Sequence, residues 1–390
     1  MKNQTKAIDT PFGKRDAYGS LSMPIYHTAA YEFDTAADMA DAFTGRVVAP
    51  DYSRVMNPTV MYLEDKVKTI TGAANVIAMS SGMAAISNTI LAVAAAGKNI
   101  VTSRHMFGNT FSLITESVKR FGVEARPCDL LNLDEVKSLV DADTCCIFLE
   151  IITNPQMEVA NLRELSKIAR EHNIPLIADT TVIPFTQFSA KNLGVDIEVV
   201  SSTKYLSGGA TTLGGLVIDY GTAEGFGSKM KNEMLFNFGA YMTPHVAYMQ
   251  SLGLETLDAR YRVQSANTLY LAKRLRELPE IKSVNYVGLE DNPFHTIAQE
   301  QFGETAGAMM TIDLGSQEEA FSMINKFKLV RRATNLFDNR TLAIHPASTI
   351  FGNFTDGERR AMDVLDTTVR ISVGLEDMDD VFEDFKQAVK

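Results

Sequence analysis

The chain has 390 residues, 45% of them hydrophobic and 22% charged, enough for roughly two or three domains and a sizeable core. A net charge of -11 argues against nucleic acid and anionic membranes as partners, since both repel an acidic protein that lacks a concentrated basic patch. The best basic cluster, Lys326, Lys328, Arg331 and Arg332, is short and reads as a helix C-terminal flank or a solvated face.

Residues 1–50 hold Pro11, Gly13, Gly19 and Pro24, and predict an extended arm rather than a domain. The start lacks the apolar core of a signal peptide and no apolar run is long enough for a bilayer, so a cytoplasmic location is expected. From residue 75 short apolar runs, at 75–79, 99–103, 123–127, 145–150, 174–179 and 197–201, alternate with helical patterns such as Leu162, Leu165, Ile168 and Ala169. That alternation predicts βαβ units and a mostly parallel sheet in a domain over 51–240. Cys128, Cys145 and Cys146 lack metal-ligand spacing and read as reduced structural thiols, the adjacent pair on a buried strand. Beyond residue 240 a helix at 254–278, an alternating run at 308–314, a helix at 318–327 and a strand at 369–373 predict a smaller C-terminal α+β domain over 241–390.

A mostly parallel sheet binds ligands at the carboxyl ends of its strands, where Asn154, Asp179 and residues 201–204 fall. Lys204, just past a buried strand among Ser201, Thr203 and a glycine pair, is placed for a desolvated amine that forms an imine with a carbonyl cofactor. Asp179 ends the preceding strand, where a carboxylate can keep the pyridine nitrogen of pyridoxal phosphate protonated. Ser80-Ser-Gly-Met83 follows a strand and opens a helix: Gly82 permits a tight turn, and the free amides either hold a phosphate or belong to an ordinary serine-capped helix. Tyr52 and Arg54, two apart, form either an anion clamp or a surface Arg beside a half-buried Tyr. No strand leads into Gly-x-Gly-x-x-Gly, which disfavours a nicotinamide-dependent oxidoreductase. His245 and His345 read as packing or backbone-bonded residues, whereas His105 is a candidate proton relay.

Tyr52-Ser-Arg-x-x-Asn-Pro58, Ser81-Gly-Met83, Thr153-Asn-Pro155, Asp179-Thr-Thr181, Ser201-Ser-Thr-Lys-Tyr-Leu206 and Val369-Arg-Ile-Ser-Val-Gly-Leu-Glu-Asp377 occur in the order expected for the Cys/Met-metabolism enzymes that use pyridoxal phosphate. The chain resembles that family from about Gly19 to its end. The resemblance implies the aminotransferase-like α/β fold (fold type I), an amino-acid substrate, and Lys204 as the residue that holds the cofactor and moves protons between Cα, the cofactor and Cβ. It further implies that Asp179 meets the pyridine nitrogen, Asn154 the phenolic oxygen, and Gly82, Met83, Ser201 and Thr203 the phosphate. Tyr52 and Arg54 would join that phosphate from a neighbouring subunit of a homo-oligomer, usually a tetramer. Arg370, with Asn335 nearby, would grip the substrate carboxylate.

Within the family, Asn237-Phe-Gly-Ala240, Gly253-Leu-Glu-Thr-Leu257 and Arg340-Thr-Leu-Ala-Ile-His-Pro-Ala-Ser-Thr349 look most like O-acetylhomoserine sulfhydrylases, with C–S lyases and cystathionine γ-synthase as alternatives. Asn109 stands where methionine γ-lyases usually carry Cys. Phe107 replaces the usual ring-stacking Tyr; it stacks equally well but has no proton to give, which favours an ester over a thioether leaving group. Phe337 replaces a usual Gly and is expected to narrow the pocket near the substrate carboxylate.

Overall fold

The computed structural model describes residues 1–11 and 16–390, so Gly13 of the expected arm lies outside the described residues. Seven strands, β1 (Asn75–Met79), β2 (Asn99–Ser103), β3 (Glu124–Cys128), β4 (Thr144–Glu150), β5 (Leu176–Asp179), β6 (Ile197–Val200) and β7 (Gly215–Asp219), form one sheet. Its order is β1-β7-β6-β5-β4-β2-β3. The steps from β6 to β3 are parallel, and β7 runs antiparallel to both β1 and β6. Burial on both faces explains the unbroken apolar runs: every residue of β2, β6 and β7 is buried. β7 has no counterpart in the sequence reading, because its short run Gly-Leu-Val-Ile-Asp begins on a glycine pair that reads as a loop.

Helices cover the sheet. In Leu162–Glu171 the Asn161 side chain accepts from the Glu164 amide, while Leu162, Leu165, Ile168 and Ala169 turn inward as their spacing predicts. Cys146 is buried on β4 and the adjacent Cys145 is half-buried; all three thiols are free.

A second sheet holds β8 (Ser283–Asn285), β9 (Met309–Asp313), β10 (Arg331–Arg332), β11 (Leu342–Ile344) and β12 (Thr368–Ser372), in the order β10-β11-β12-β9-β8. All of its pairings except β10 with β11 are antiparallel. Arg332 Nη1 donates to the carbonyls of Ile324, Asn325 and Phe327 at the end of the helix Gln317–Lys326, the flanking role its charge suggested.

The helix expected over 254–278 is instead two, Pro244–Glu255 and Leu257–Leu275, broken at Thr256. The first of them docks backbone to backbone on the turn that follows Lys204. A β-carbon on Gly253 would lie 1.8 Å from the Leu206 carbonyl oxygen, so only glycine permits that approach.

Candidate active site

A cavity of about 260 Å³ opens at the carboxyl ends of β4, β5 and β6. It is lined by Gly82, Met83, Phe107, Asn154, Asp179, Ser201, Thr203, Lys204, Asn335 and Arg370, which brings together all of the candidate site residues except Tyr52 and Arg54.

The helix Gly82–Val93 starts against this cavity. Ser81 caps it by accepting from the Ala84 amide at 3.0 Å, so the serine cap and the free-amide cradle coexist. A β-carbon on Gly82 would come within 2.6 Å of Ser201 Cβ, so the glycine is what lets the first helical turn approach the β6 loop. That loop is fixed in turn. The Ser201 amide donates to Thr181 Oγ1 at 2.8 Å, and the Thr203 hydroxyl bonds the Gly214 carbonyl at 3.2 Å and its amide at 3.0 Å.

Asp179 ends β5 and accepts from the Thr181 amide at 2.9 Å. Burial pushes its carboxyl above the usual range, against the pull of the Thr181 hydrogen bonds and of Lys204. Lys204 Nζ donates to Asn335 Oδ1 at 2.9 Å. Its amine is pulled down to about 8, first by burial and then by the Arg370 charge, with Asp179 opposing. A lysine so tuned loses its proton near neutral pH and becomes a nucleophile.

Arg370, on β12, reaches back to the first sheet: Nη1 donates to Asn154 Oδ1 at 3.2 Å and Nη2 to the Asn335 carbonyl at 3.1 Å. It is 3% exposed, and burial draws it down to about 9. Among the described residues its Nε has no hydrogen-bond partner, a buried donor left for an anionic ligand.

Glu150, at the end of β4, was not foreseen. Its Oε1 accepts from the Phe107 amide at 2.7 Å and its Oε2 from the Asn154 amide at 3.2 Å, so one carboxyl sets two cavity-lining segments. Burial, with Asp179 adding repulsion, pushes it up to about 8. The available signal was an acid closing an otherwise apolar strand.

Three expectations are corrected. His105 does not line the cavity. Its Nδ1 meets Glu158 Oε2 at 2.6 Å and its Nε2 meets Asp363 Oδ2 at 2.9 Å, so it ties two segments together rather than relaying protons to the site. Burial alone would lower its pKa, but the two carboxylates leave it raised. Phe337 does not narrow the pocket either. At φ +57° the backbone turns its ring away into the core, where it stacks on Tyr205 at 3.9 Å. His345 packs as expected, bonded to Ser348 Oγ and the Asp366 carbonyl, whereas His245 is exposed rather than packed.

Tyr52 and Arg54 lie apart from the cavity of their own chain. Tyr52 is 44% exposed, and Arg54 donates to the Phe236 carbonyl with its guanidinium over the Tyr52 and Phe236 rings. Asn109 is exposed and also outside the cavity.

The model for Cys/Met metabolism PLP-dependent enzymes matches residues 4–390. The chain belongs to this family. It is 37% identical over 380 residues to the L-methionine gamma-lyase of Fusobacterium nucleatum subsp. nucleatum, covering 96% of this chain and 95% of that one. It is 32% identical to the O-succinylhomoserine sulfhydrylase of Pseudomonas aeruginosa, covering 96% and 92%. A Campylobacter jejuni subsp. jejuni structure proposed to be an O-acetylhomoserine (thiol)-lyase, carrying a pyridoxyl-lysine phosphate, superposes with a TM-score of 0.96 at 31% identity over 100% of both chains. The protein is therefore a fold type I enzyme of sulfur amino-acid metabolism that depends on pyridoxal phosphate. Its own residues fit that cofactor: the approach that only glycine allows at position 82 and the orphaned Arg370 Nε suit a phosphate and a carboxylate. The described residues include no helix long and apolar enough to cross a membrane.

Proposed function

We propose that the enzyme performs γ-replacement on an acylated homoserine, converting O-acetyl-L-homoserine and sulfide to L-homocysteine and acetate in cytoplasmic methionine biosynthesis. The observation that carries this reading is Phe107: among the described residues, the cavity built by one chain is lined by no phenol. A thioether needs an acid to release its thiolate, whereas a carboxylate ester departs without one. Bound pyridoxal phosphate supplies an electron sink for charge developing on the substrate.

In this reading Gly82, Met83, Ser201 and Thr203 hold the phosphate. Asp179 would hold the protonated pyridine nitrogen, Asn154 would meet the phenolic oxygen, and Phe107 would stack on the ring. Arg370, with Asn335, binds the substrate carboxylate, and Lys204 carries protons at Cα and Cβ. Tyr52 and Arg54 complete the phosphate site of a neighbouring subunit. The exposed Tyr18, Leu21, Tyr26, Val48, Tyr52 and Phe238 support this, since so much bare apolar surface suits a covered interface, in a homotetramer built from two domains per chain behind the N-terminal arm.

A C–S lyase is the second reading, favoured by the 37% identity to L-methionine gamma-lyase. The test is to incubate the protein with O-acetylhomoserine, O-succinylhomoserine, cystathionine or methionine, with and without sulfide, and to quantify homocysteine against keto acid. Faster keto-acid release from a thioether than homocysteine formation from the ester would replace the transferase by the lyase.

A further inference from the structure

Phe337 occupies a conformation that most residues avoid. Its φ of +57° lies in the left-handed region that glycine adopts freely and that strains a bulky residue. The surroundings hold it there: its amide donates to Ser372 Oγ at 2.6 Å, its side chain is fully buried, and its ring lies on Tyr205 with 8° between the planes. Tyr205 also meets Tyr261 in a T-shaped contact, with the ring centroids 5.3 Å apart.

Along this segment every second residue meets the turn that carries the lysine. Asn335 accepts from Lys204 Nζ, Phe337 stacks on Tyr205, and Asn339 Nδ2 donates to the Gly208 carbonyl at 3.1 Å. All three contacts reach the one turn over 204–208, so they form one clasp with the aromatic stack in its middle. The outer two are single hydrogen bonds, easily exchanged with water, whereas the stack excludes water and fixes the spacing between the strands of chain. Asn335 serves twice, because its carbonyl also receives Arg370 Nη2.

We propose that Phe337 is a positioning residue for Lys204. Its stack on Tyr205 presses residues 335–339 against the lysine turn, so that Asn335 Oδ1 receives the amine whenever the amine is free. The inference rests on Lys204 being the reacting amine, and it adds a residue outside the cavity that governs where that amine points.

Phe337→Gly removes the ring and relaxes the backbone, which favours an intact fold. Tyr205→Leu removes the opposite face of the stack. In the full-length chain without cofactor, reductive methylation by formaldehyde and a mild borane is followed at each lysine by peptide mass spectrometry. Lys66, fully buried and paired with Glu255 Oε1, is the internal reference. Both variants are expected to raise the Lys204 rate roughly tenfold, the size of an ordinary contact coupling, with the Lys66 rate unchanged. Asn335→Ala should give a similar rise, and the Phe337→Gly/Asn335→Ala chain no more than either alone, because the two act through one contact. An unchanged Lys204 rate, a parallel rise at Lys66 or multiplied effects in the double variant would overturn the proposal. Failure of the underlying reading shows elsewhere, as a reducible covalent cofactor bond that survives Lys204→Ala.

Discussion

Glu150→Gln is expected to reverse sign with pH. In the folded chain burial and Asp179 raise this carboxyl from its ordinary 4.5 to about 8, so between those values the native state keeps a proton that the unfolded chain has lost. Stability then falls as pH rises through that window. The difference of about 3.5 pH units, at about 1.4 kcal/mol each, sets an upper bound of ~5 kcal/mol of destabilisation above pH 8. Between pH 5.5 and 8.5 the same relation gives a change of about 3 kcal/mol. Glutamine cannot ionise and escapes this loss. It offers only one acceptor oxygen, however, while the Phe107 and Asn154 amides use both oxygens of Glu150, and leaving one buried amide unpaired costs about 1–3 kcal/mol. The variant should therefore be less stable than the parent at pH 5.5 and more stable at pH 8.5. Urea unfolding of the cofactor-free chains at the two pH values measures it. An equal offset at both would mean that Glu150 titrates normally, and the argument from its burial would fail.

Arg370→Leu should raise KM for the amino-acid substrate about a hundredfold, the equivalent of ~3 kcal/mol from a lost charge-assisted contact. It should also move the Lys204 amine upward, since Arg370 is a cause of its lowering, and the pH dependence of Lys204 methylation reads this directly. Gly82→Ala places a carbon 2.6 Å from Ser201 Cβ, and a cofactor dissociation constant raised about tenfold by fluorescence titration is the expected result. Chains carrying Arg54→Ala, mixed with chains carrying Lys204→Ala, should recover part of the activity that each lacks alone; verified mixed oligomers that stay inactive would place each site within one chain.

What the sequence made legible follows a pattern. Lys204, Asp179, Ser201, Thr203 and Gly82 stand at strand ends or helix starts, where a polar residue breaks an apolar run, and such breaks are visible without coordinates. The parallel core of the sheet was readable for the same reason. Glu150 follows the same grammar but sits in a run counted wholly as strand, and its two amide partners, 43 and 4 residues away, appear only when the chain is folded. The Phe337 ring was placed wrongly because residue type says nothing about the sign of φ: a large side chain at a glycine position implies crowding, while the left-handed backbone sends the same ring into the core. His105 lies close in sequence to Phe107, yet its carboxylate partners come from residues 158 and 363 and draw it away from the cavity.

Electrostatics link the two sheets at the site. Lys204, brought to about 8 by burial and by the Arg370 charge, and Arg370, brought to about 9 by burial, share one cavity. Lys204 is held by burial close to the point of losing its proton, whereas the Arg370 guanidinium keeps its charge at a cost in desolvation. An anionic ligand entering the cavity stabilises both charges, which moves the Lys204 amine upward so that it takes up protons as the ligand binds. The phosphate and carboxylate groups expected at this site therefore meet two cations that burial has deprived of solvent. Asp179 offsets this only in part at Lys204, because burial favours its neutral form, as it does that of Glu150. Four groups displaced toward neutrality around one cavity match a pocket completed by its ligands rather than by the chain alone.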